Sequence, residues 1–289
     1  MFLSGPPGAG KTMLSRAFPS ILPPLTLREI LEISRIYSVC GLLSSNSLIL
    51  ERPFRSPHHT TSRMGLIGGG TTPSPGEITL AHKGVLFLDE LPEFPRSVLE
   101  ALRQPLEDGV VTVSRASGSV LFPARFQLLA AANPCPCGHA GDKKKPCRCL
   151  AGSVERYRKR LSGPLLDRMD LFIQVPSVER EKLENQNLGE SSRLIRKRVE
   201  EARERQHKRF KNGDMSANAH MNTAAVREFC RLTEEAKKII GNSIDALNLS
   251  ARSYYKVIKV AQTIADLAGD EEIKDSYVSE ALQYRKLWD

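Results

Sequence analysis

The stretch Gly5-Pro6-Pro7-Gly8-Ala9-Gly10-Lys11-Thr12 decides the fold that this sequence predicts. It matches G-x-x-x-x-G-K-[ST], a pattern in which the backbone N–H groups of a glycine-rich loop bind phosphate oxygens. We expect Lys11 to reach the β- and γ-phosphates of a nucleotide and the Thr12 hydroxyl to hold Mg²⁺. A Gly/Pro turn before a helix is the simpler interpretation. The complete match, ending in Lys-Thr, favours the phosphate site.

Composition and charge indicate a soluble globular protein of one or two domains. The chain has 289 residues, 40% of them hydrophobic and 26% charged, and a formal net charge of +9. Residues 220–289 carry 10 basic and 11 acidic side chains, so the positive excess lies within residues 1–219. This distribution suits contact with a polyanion, although ATP sites and solubility also recruit Lys and Arg. The sequence has no long uncharged apolar run and no basic-then-apolar leader, which predicts a cytoplasmic protein without a membrane partner.

A buried strand is predicted to deliver two carboxylates to one edge of a sheet. The apolar run Val85–Leu88 is followed directly by Asp89 and Glu90, as happens where a parallel strand ends at its carboxyl edge. After a P-loop, an Asp in this position supports Mg²⁺, and we expect Glu90 to polarise a water for attack on the γ-phosphate. The alternative is a core strand followed by an exposed acidic turn, and the upstream loop favours the functional interpretation.

A second buried strand, residues 126–132, ends in Asn133. An amide at this place is expected to position the attacking water, while the alternative is a turn residue before Pro134. Ahead of this strand, Val110–Phe122 contains two β-rich runs around a short Gly-containing loop, which predicts a hairpin.

Two further segments lie between the loop and the acidic strand. Leu25–Val39 has apolar residues at helical spacing, and Thr26 with Glu29 predicts a capping box at its start. Residues 44–76 are rich in Ser, Pro, Gly, Thr and His, which predicts a long irregular insertion of the kind that is usually functional.

Four of the six cysteines lie in two C-x-C pairs, namely Cys135 with Cys137 and Cys147 with Cys149. Disulfides are not expected in a cytoplasmic protein, so the pairs predict either a zinc loop or four reduced thiols. The C-x-C spacing is tighter than the C-x₂₋₄-C of most structural zinc sites. His139 is a substitute ligand or a loop residue.

Two arginines are candidates for contact with a nucleotide. Arg168 follows a short helix and is flanked by acids, so a surface ion pair is its simplest role. The alternative is an arginine finger that stabilises charge on the γ-phosphate held by a neighbouring subunit. Arg252 lies in the first turn of a predicted helix, Ser250–Ala268, where a cation opposes the helix dipole. This small penalty indicates a partner outside the helix.

The predicted fold is α/β, with a P-loop core built on a parallel sheet flanked by helices and followed by a helical lid. Residues 1–176 form the predicted nucleotide-binding core, with the insertion at about 44–76 and the cysteine-rich loop at 135–149. Residues 177–219 are charged and predict a linker helix. Residues 220–289 have helical periodicity throughout and predict the lid.

These motifs, in this order, resemble those of the AAA+ ATPases, in particular the branch that contains magnesium chelatase and the ComM/YifB-like proteins. Through this resemblance, residues 5–12 look like the Walker A motif and Val85–Glu90 look like the Walker B motif. Asn133 looks like the first sensor, Arg168 like the arginine finger and Arg252 like the second sensor.

The resemblance extends to two features outside the nucleotide site. The hairpin 110–122 looks like the pre-sensor hairpin of this branch, which faces the central pore in related hexamers. The segment 52–76 looks like the insert that this branch carries in its second helix. Members of the family also have an N-terminal domain resembling the Lon protease fold and a segment leading into Walker A. Both are expected before residue 5, and the resemblance implies that much of the adenine pocket comes from the segment leading into Walker A.

The resemblance implies an ATP- and Mg²⁺-dependent ATPase that assembles as a homo-hexameric ring and remodels DNA, as a helicase or in branch migration. The candidate phosphate contacts are basic residues at the hairpin tip and in the cysteine-rich loop, namely Arg115, Lys143, Lys144 and Lys145. One alternative is a chelatase-type motor that acts on a protein partner. Another is a truncated remnant that binds nucleotide without turnover.

Overall fold

The computed structural model describes residues 1–43, 47–70, 73–115, 118–142, 145–177, 189–211, 215–246 and 249–285. Their packing divides them into two units. The first contains the described residues of Met1–Pro19, Pro24–Met169 and Ile173–Asn187, and the second contains those of Ser20–Pro23, Asp170–Phe172 and Leu188–Asp289.

A five-stranded sheet forms the centre of the first unit, with the strand order β2-β5-β8-β1-β9. The strands of the chain are β1 (Phe2–Ser4), β2 (Phe54–Arg55), β3 (Gly68–Gly69), β4 (Ser74–Pro75), β5 (Val85–Leu88), β6 (Val110–Arg115), β7 (Gly118–Pro123), β8 (Gln127–Ala132) and β9 (Phe172–Gln174). β1 and β5 each pair in parallel with β8, and β2 pairs in parallel with β5. Every side chain of β5 is buried, as expected for a parallel strand covered on both faces.

The register of the sheet brings the ends of three strands together. Leu88 is the partner of Ala130, and Ser4 is the partner of Ala132. The residues that follow these strands therefore leave the same carboxyl edge of the sheet, which is where open α/β sheets bind ligands.

Short helices accompany the sheet in the first unit. They are α1 (Lys11–Ala17), α2 (Leu27–Val39), α3 (Arg63–Ile67), α4 (Glu77–Leu80), α5 (Arg96–Ala101), α6 (Arg103–Asp108), α7 (Ala151–Arg158) and α8 (Gly163–Leu166). The capping box predicted for α2 is confirmed. The Thr26 hydroxyl accepts a bond of 3.3 Å from Glu29 N, and the Glu29 carboxylate accepts one of 3.1 Å from Thr26 N.

The predicted irregular insertion, about 44–76, contains regular structure in its described part. Phe54 and Arg55 form β2, an edge strand of the central sheet, and pair with Val85 and Leu86. Arg55 also donates two hydrogen bonds of 2.6 and 2.7 Å to the carboxylate of Glu77. The prediction of a long irregular insertion is therefore wrong at this strand, because a two-residue strand is too short to show a period in the sequence.

The predicted hairpin is confirmed as β6 paired antiparallel with β7, from Val110 opposite Pro123 to Arg115 opposite Gly118. On the second strand, Leu121 is 62% exposed. The hairpin therefore presents an apolar side chain to solvent, and the backbone of Arg115 lies at its far end.

Helices make up most of the second unit. They are α9 (Ser192–Arg209), α10 (Thr223–Phe229), α11 (Glu234–Ala246), α12 (Ala251–Ala268) and α13 (Asp275–Gln283). Val257, Ile258 and Ala261 of α12 are buried in the core of this unit and Ala265 is also buried, in agreement with the helical periodicity predicted for residues 220–289.

The segment predicted as a linker helix packs within the second unit. Ala202 and Gln206 of α9 are buried, and Arg209 at its end donates bonds of 2.9 and 2.5 Å to the buried carboxylate of Asp266 in α12. The high surface charge of α9 concealed this contact, because only one narrow face of the helix is buried.

Among the described residues, every helix is too short or too polar to span a lipid bilayer.

Candidate functional site

The loop between β1 and α1 curls over the carboxyl edge of the sheet. The loop begins at Gly5, whose N–H donates a hydrogen bond of 3.3 Å to Ala132 O. It ends at Gly10, which precedes the first turn of α1. Gly10 has a φ of 86°, in the left-handed region that other residues adopt at a cost. The backbone conformation at this position therefore explains why the sequence pattern requires a glycine.

Lys11 extends back under this loop and is 9% exposed. Its Nζ atom donates bonds of 2.6 Å to Gly5 O, 3.0 Å to Pro6 O and 3.1 Å to Asn133 Oδ1. Burial lowers the pKa of Lys11, and the charges of Asp89 and Glu90 partly oppose this shift. The ammonium group is thus held among oxygen atoms at the edge where the strands end.

Thr12 and Asp89 form a hydroxyl–carboxylate pair beside this lysine. Thr12 Oγ1 donates a bond of 2.6 Å to Asp89 Oδ2, and Glu90 N donates one of 3.0 Å to Asp89 Oδ1. Both residues present oxygen atoms, the ligands that Mg²⁺ prefers. The donor set therefore fits the metal that the sequence predicts.

Glu90 follows Asp89 in an unusual backbone conformation. Its φ is 51°, a left-handed value that is uncommon for a residue with a side chain. The side chain is 55% exposed, and Glu90 Oε2 lies 3.6 Å from Nδ1 of His59. Strained backbone of this kind concentrates at functional sites, and the Glu90 carboxylate lies beside the loop with more than half of its side chain exposed.

A cavity of about 530 Å³ gathers these residues in one place. Its wall contains residues 7–12 of the predicted loop, but not Gly5 or Pro6, together with Asp89, Glu90 and Asn133 from the ends of β5 and β8. The lining residues are Pro7, Gly8, Ala9, Gly10, Lys11, Thr12, Met13, Arg16, Asp89, Glu90, Ala132 and Asn133. The residues predicted to bind phosphate, support the metal and activate water thus share one cavity.

Arg168 does not line this cavity. It lies just after α8, where Nη1 donates a bond of 2.9 Å to Pro164 O and Nη2 pairs with the carboxylate of Glu107. Its side chain is 16% exposed. Within one chain, Arg168 therefore forms the ion pair that is the simplest interpretation of the sequence.

Arg252 is exposed in the first turn of α12, whose N-terminal cap is Ser250. The Ser250 hydroxyl accepts a bond of 3.2 Å from Ser253 N. The predicted start of this helix is confirmed, while the role of Arg252 stays a prediction.

The candidate nucleic-acid contacts are only partly described. The backbone of Arg115 ends β6, and its side chain lies outside the described residues. Lys143 and Lys144 also lie outside them, and Lys145 is exposed. Cys135, Cys137, Cys147 and Cys149 lie together, with their sulfur atoms all within 4.8 Å of one another.

Comparison with known families accounts for almost the whole chain. The family model described as magnesium chelatase, subunit ChlI, matches residues 1–183, and the one described as magnesium chelatase, subunit ChlI C-terminal, matches residues 189–285. The chain belongs to the magnesium chelatase family. The predicted AAA+ fold, with a parallel sheet flanked by helices and a helical C-terminal region, is confirmed.

Similar proteins within this family are longer. Competence protein ComM of Haemophilus influenzae is 44% identical over 284 residues, covering 98% of this chain and 55% of ComM. Uncharacterized protein YifB of Escherichia coli is 43% identical over 288 residues, covering 99% of this chain and 56% of YifB. The chain thus spans about half the length of the curated relatives it matches. DNA replication licensing factor mcm6 of Dictyostelium discoideum is a distant match, 23% identical over 221 residues, 71% of this chain and 23% of mcm6.

The sequence did not predict two neighbours of Glu90 and Asn133. His59 reaches Glu90 from the insertion, and the adjacent histidines 58 and 59 were the only signal for it. Tyr157 of α7 lies beside Asn133. Burial raises the pKa of Tyr157 to about 12, and the Asn133 backbone partly opposes this shift. Both contacts join distant segments, which a local pattern does not reveal.

Proposed function

We propose that this chain is the ATP-hydrolysing motor part of an AAA+ protein. The observation that carries the proposal is the single cavity in which Lys11, Thr12, Asp89, Glu90 and Asn133 meet. Three separate segments supply these residues, and each has the chemistry that phosphoryl transfer requires at its place.

Lys11 and Thr12 would bind the triphosphate and its metal. The Lys11 ammonium now donates to the carbonyls of Gly5 and Pro6, and phosphate oxygens would replace these acceptors. Thr12 and Asp89 would hold Mg²⁺, directly or through water. The bound cation would neutralise phosphate charge.

Glu90 and Asn133 would carry the hydrolytic step. Glu90 accepts a proton from the water that attacks the γ-phosphorus. Its carboxylate is more than half exposed and so accessible to that water. The Asn133 side chain, at the end of β8, orients that water. Its Oδ1 atom already accepts a bond of 3.1 Å from Lys11, so one contact ties the orienting residue to the phosphate-binding one.

Arg168 would act on the nucleotide of a neighbouring subunit. A head-to-tail contact that closes on itself forms a ring, and we propose a homo-hexamer on the resemblance to AAA+ proteins. Arg168 would exchange its bond to Glu107 for the γ-phosphate across the interface. Arg252 is proposed as the cation that responds to loss of that phosphate.

DNA is the polymer on which we propose that the motor acts. Support comes from the positive excess in residues 1–219, from the hairpin and from similarity to a protein named for competence. Affinity for DNA should fall steeply with salt concentration if Lys and Arg contact phosphates. Anisotropy titrations at several salt concentrations test this, with the triple variant of Lys143, Lys144 and Lys145 to Ala expected to have a shallower slope. A slope unchanged in the variant would contradict the assignment.

A chelatase-type motor acting on a protein partner is the second candidate. It is favoured by the descriptions of the two family models that match the chain. The two candidates share the nucleotide site and differ in what stimulates turnover.

One experiment separates them. ATP hydrolysis is measured with and without single-stranded, duplex and branched DNA, on protein whose mass is determined by light scattering. Stimulation of an assembled ring by DNA supports the DNA motor. Turnover indifferent to every DNA favours the chelatase-type motor, and nucleotide binding with no turnover identifies a remnant.

A further inference from the structure

The four clustered cysteines hold their sulfur atoms at separations that suit one metal ion. The sulfur of Cys135 lies 3.4 Å from that of Cys137 and 3.7 Å from that of Cys147. The sulfur atoms of Cys137 and Cys147 are 3.6 Å apart, and all four sulfur atoms lie within 4.8 Å of one another. A disulfide needs about 2.05 Å, so these thiols are close neighbours without being bonded to one another.

Tetrahedral coordination accounts for these separations. With a zinc–sulfur distance of about 2.3 Å, the sulfurs of a tetrahedral site are about 3.8 Å apart. The sulfur–sulfur distances among Cys135, Cys137 and Cys147, 3.4–3.7 Å, lie close to this value, and the sulfur of Cys149 lies within 4.8 Å of each of them. We propose that Cys135, Cys137, Cys147 and Cys149 bind one structural Zn²⁺.

Backbone N–H groups around the cluster point at the sulfurs. Cys137 N donates a bond of 3.3 Å to the Cys149 sulfur, and Ala140 N donates one of 3.2 Å to the Cys135 sulfur. Such bonds stabilise thiolates and orient them toward a metal. On binding, each thiol releases its proton to solvent and each sulfur donates an electron pair to zinc, with no change of oxidation state.

The cluster lies against the phosphate-binding loop. Its first ligand comes two residues after Asn133, and Cys135 is fully buried. Gly138 packs so closely on Pro7 that a Cβ atom at this glycine would lie 2.5 Å from Pro7 Cδ. The four-thiolate site would therefore hold the segment carrying Asn133 against the loop that carries Lys11.

This position gives the metal a second consequence, which rests on the proposed function. Removal of zinc should free residues 135–149 from the loop and weaken binding of nucleotide. The metal would thus support the ATP site without contacting the substrate.

Metal analysis of the purified full chain tests the site. We expect one zinc per chain in the native protein and loss of that zinc in Cys137→Ser and Cys147→Ser. Cys40→Ser is the matched control, because Cys40 ends α2 outside the cluster, and it should keep one zinc. Iron in place of zinc, or a reduced chain that takes up no zinc after anaerobic reconstitution, would overturn the proposal.

A titration of the native protein covers the case in which the Cys variants do not fold. A mercurial reagent added in the presence of a zinc-sensitive dye should release one zinc per chain as four thiols react. Release of no zinc as the thiols react contradicts the site.

A second experiment tests the link to the phosphate-binding loop. Binding of a fluorescent ATP analogue is measured before and after chelation. A several-fold loss of affinity, restored when zinc is added back, supports the link. Zinc release with unchanged nucleotide affinity overturns that link alone, and a chain that binds zinc but never the analogue overturns the proposed function instead.

Discussion

Thr12 Oγ1 donates a hydrogen bond of 2.6 Å to Asp89 Oδ2, across 77 residues of sequence. The bond joins the first turn of α1 to the end of β5, and both residues line the cavity. Two oxygen donors held this close are what a Mg²⁺–phosphate complex needs at this place. The fold of the sheet thus brings together the two residues that are proposed to hold Mg²⁺.

Loss of the Asp89 charge should weaken binding of Mg²⁺ with ATP. Asp89→Asn keeps the size of the side chain but removes the carboxylate, and we expect affinity to fall by about 10–100-fold, as at other metal sites. Isothermal titration with and without Mg²⁺ measures this. Asp108→Asn, on an exposed carboxylate at the end of α6, is the control and should bind as the native chain does. Equal Mg²⁺ dependence in both variants would count against the assigned role.

Lys11 should make the ligand-free chain more stable as the pH rises toward 10.5. Burial lowers the pKa of Lys11 below its usual 10.5, so in the interval between the two values the folded chain binds fewer protons than the unfolded chain. Stability then increases with pH across this interval. Lys11→Met lacks this dependence. The free energy of unfolding in urea of the native chain minus that of Lys11→Met should therefore rise as the pH approaches 10.5. The exposed Lys159→Met is the control, and a difference for Lys11→Met that fell with pH would contradict the account.

Arg168→Ala should abolish turnover while leaving binding of ATP intact. An arginine finger contributes on the order of 10³–10⁵ to the rate of phosphoryl transfer. Arg160→Ala removes a comparable ion pair, with Glu93, and should retain activity.

Mixing two inactive variants tests whether Arg168 acts between subunits. Lys11→Ala lacks nucleotide binding but keeps its arginine, and Arg168→Ala lacks the arginine but keeps its cavity. In a mixed ring, some interfaces combine the intact halves, so partial activity should return. Near-normal hydrolysis by Arg168→Ala alone, or no recovery in mixed assemblies that form, would argue against a shared site.

Asp266→Ala should strongly destabilise the second unit. This buried carboxylate accepts bonds from Arg209 at 2.9 and 2.5 Å and from Asn218 at 2.7 Å. Removing one partner of a buried pair leaves the other charge uncompensated, which costs about 3–5 kcal/mol in the free energy of unfolding. Glu234→Ala, in an exposed pair with Lys237, should cost at most about 1 kcal/mol. Chemical denaturation compares the two free energies of unfolding, and equal costs would contradict the stabilising role assigned to Asp266.

The sequence was informative where chemistry depends on neighbouring residues. The loop 5–12, the acids after β5 and Asn133 after β8 were predictable, because parallel strands deliver their next residues to one edge. The edge strand Phe54–Arg55 was not, since two residues carry no period. The contact of His59 with Glu90 depends on long-range packing, and a pattern of residue types does not contain that information.

The burial of α9 shows the same limit in the second unit. Its charged sequence predicts a solvated helix, and its many exposed side chains agree with that prediction. The face that binds Asp266 consists of a few positions among them. Whether such a face is buried depends on what packs against it, and α12 lies more than forty residues further along the chain.

Steady-state release of phosphate from Mg²⁺-ATP by the native chain and by Glu90→Gln tests the central claim most directly. We predict turnover by the native chain and a rate lower by about 10²–10⁴-fold in Glu90→Gln, with ATP affinity unchanged, because the variant cannot accept the proton of the attacking water. Glu93→Gln, three residues away in a pair with Arg160, should hydrolyse ATP at the native rate. Equal rates for the native chain and Glu90→Gln, or nucleotide binding by the native chain without any turnover, would contradict the account.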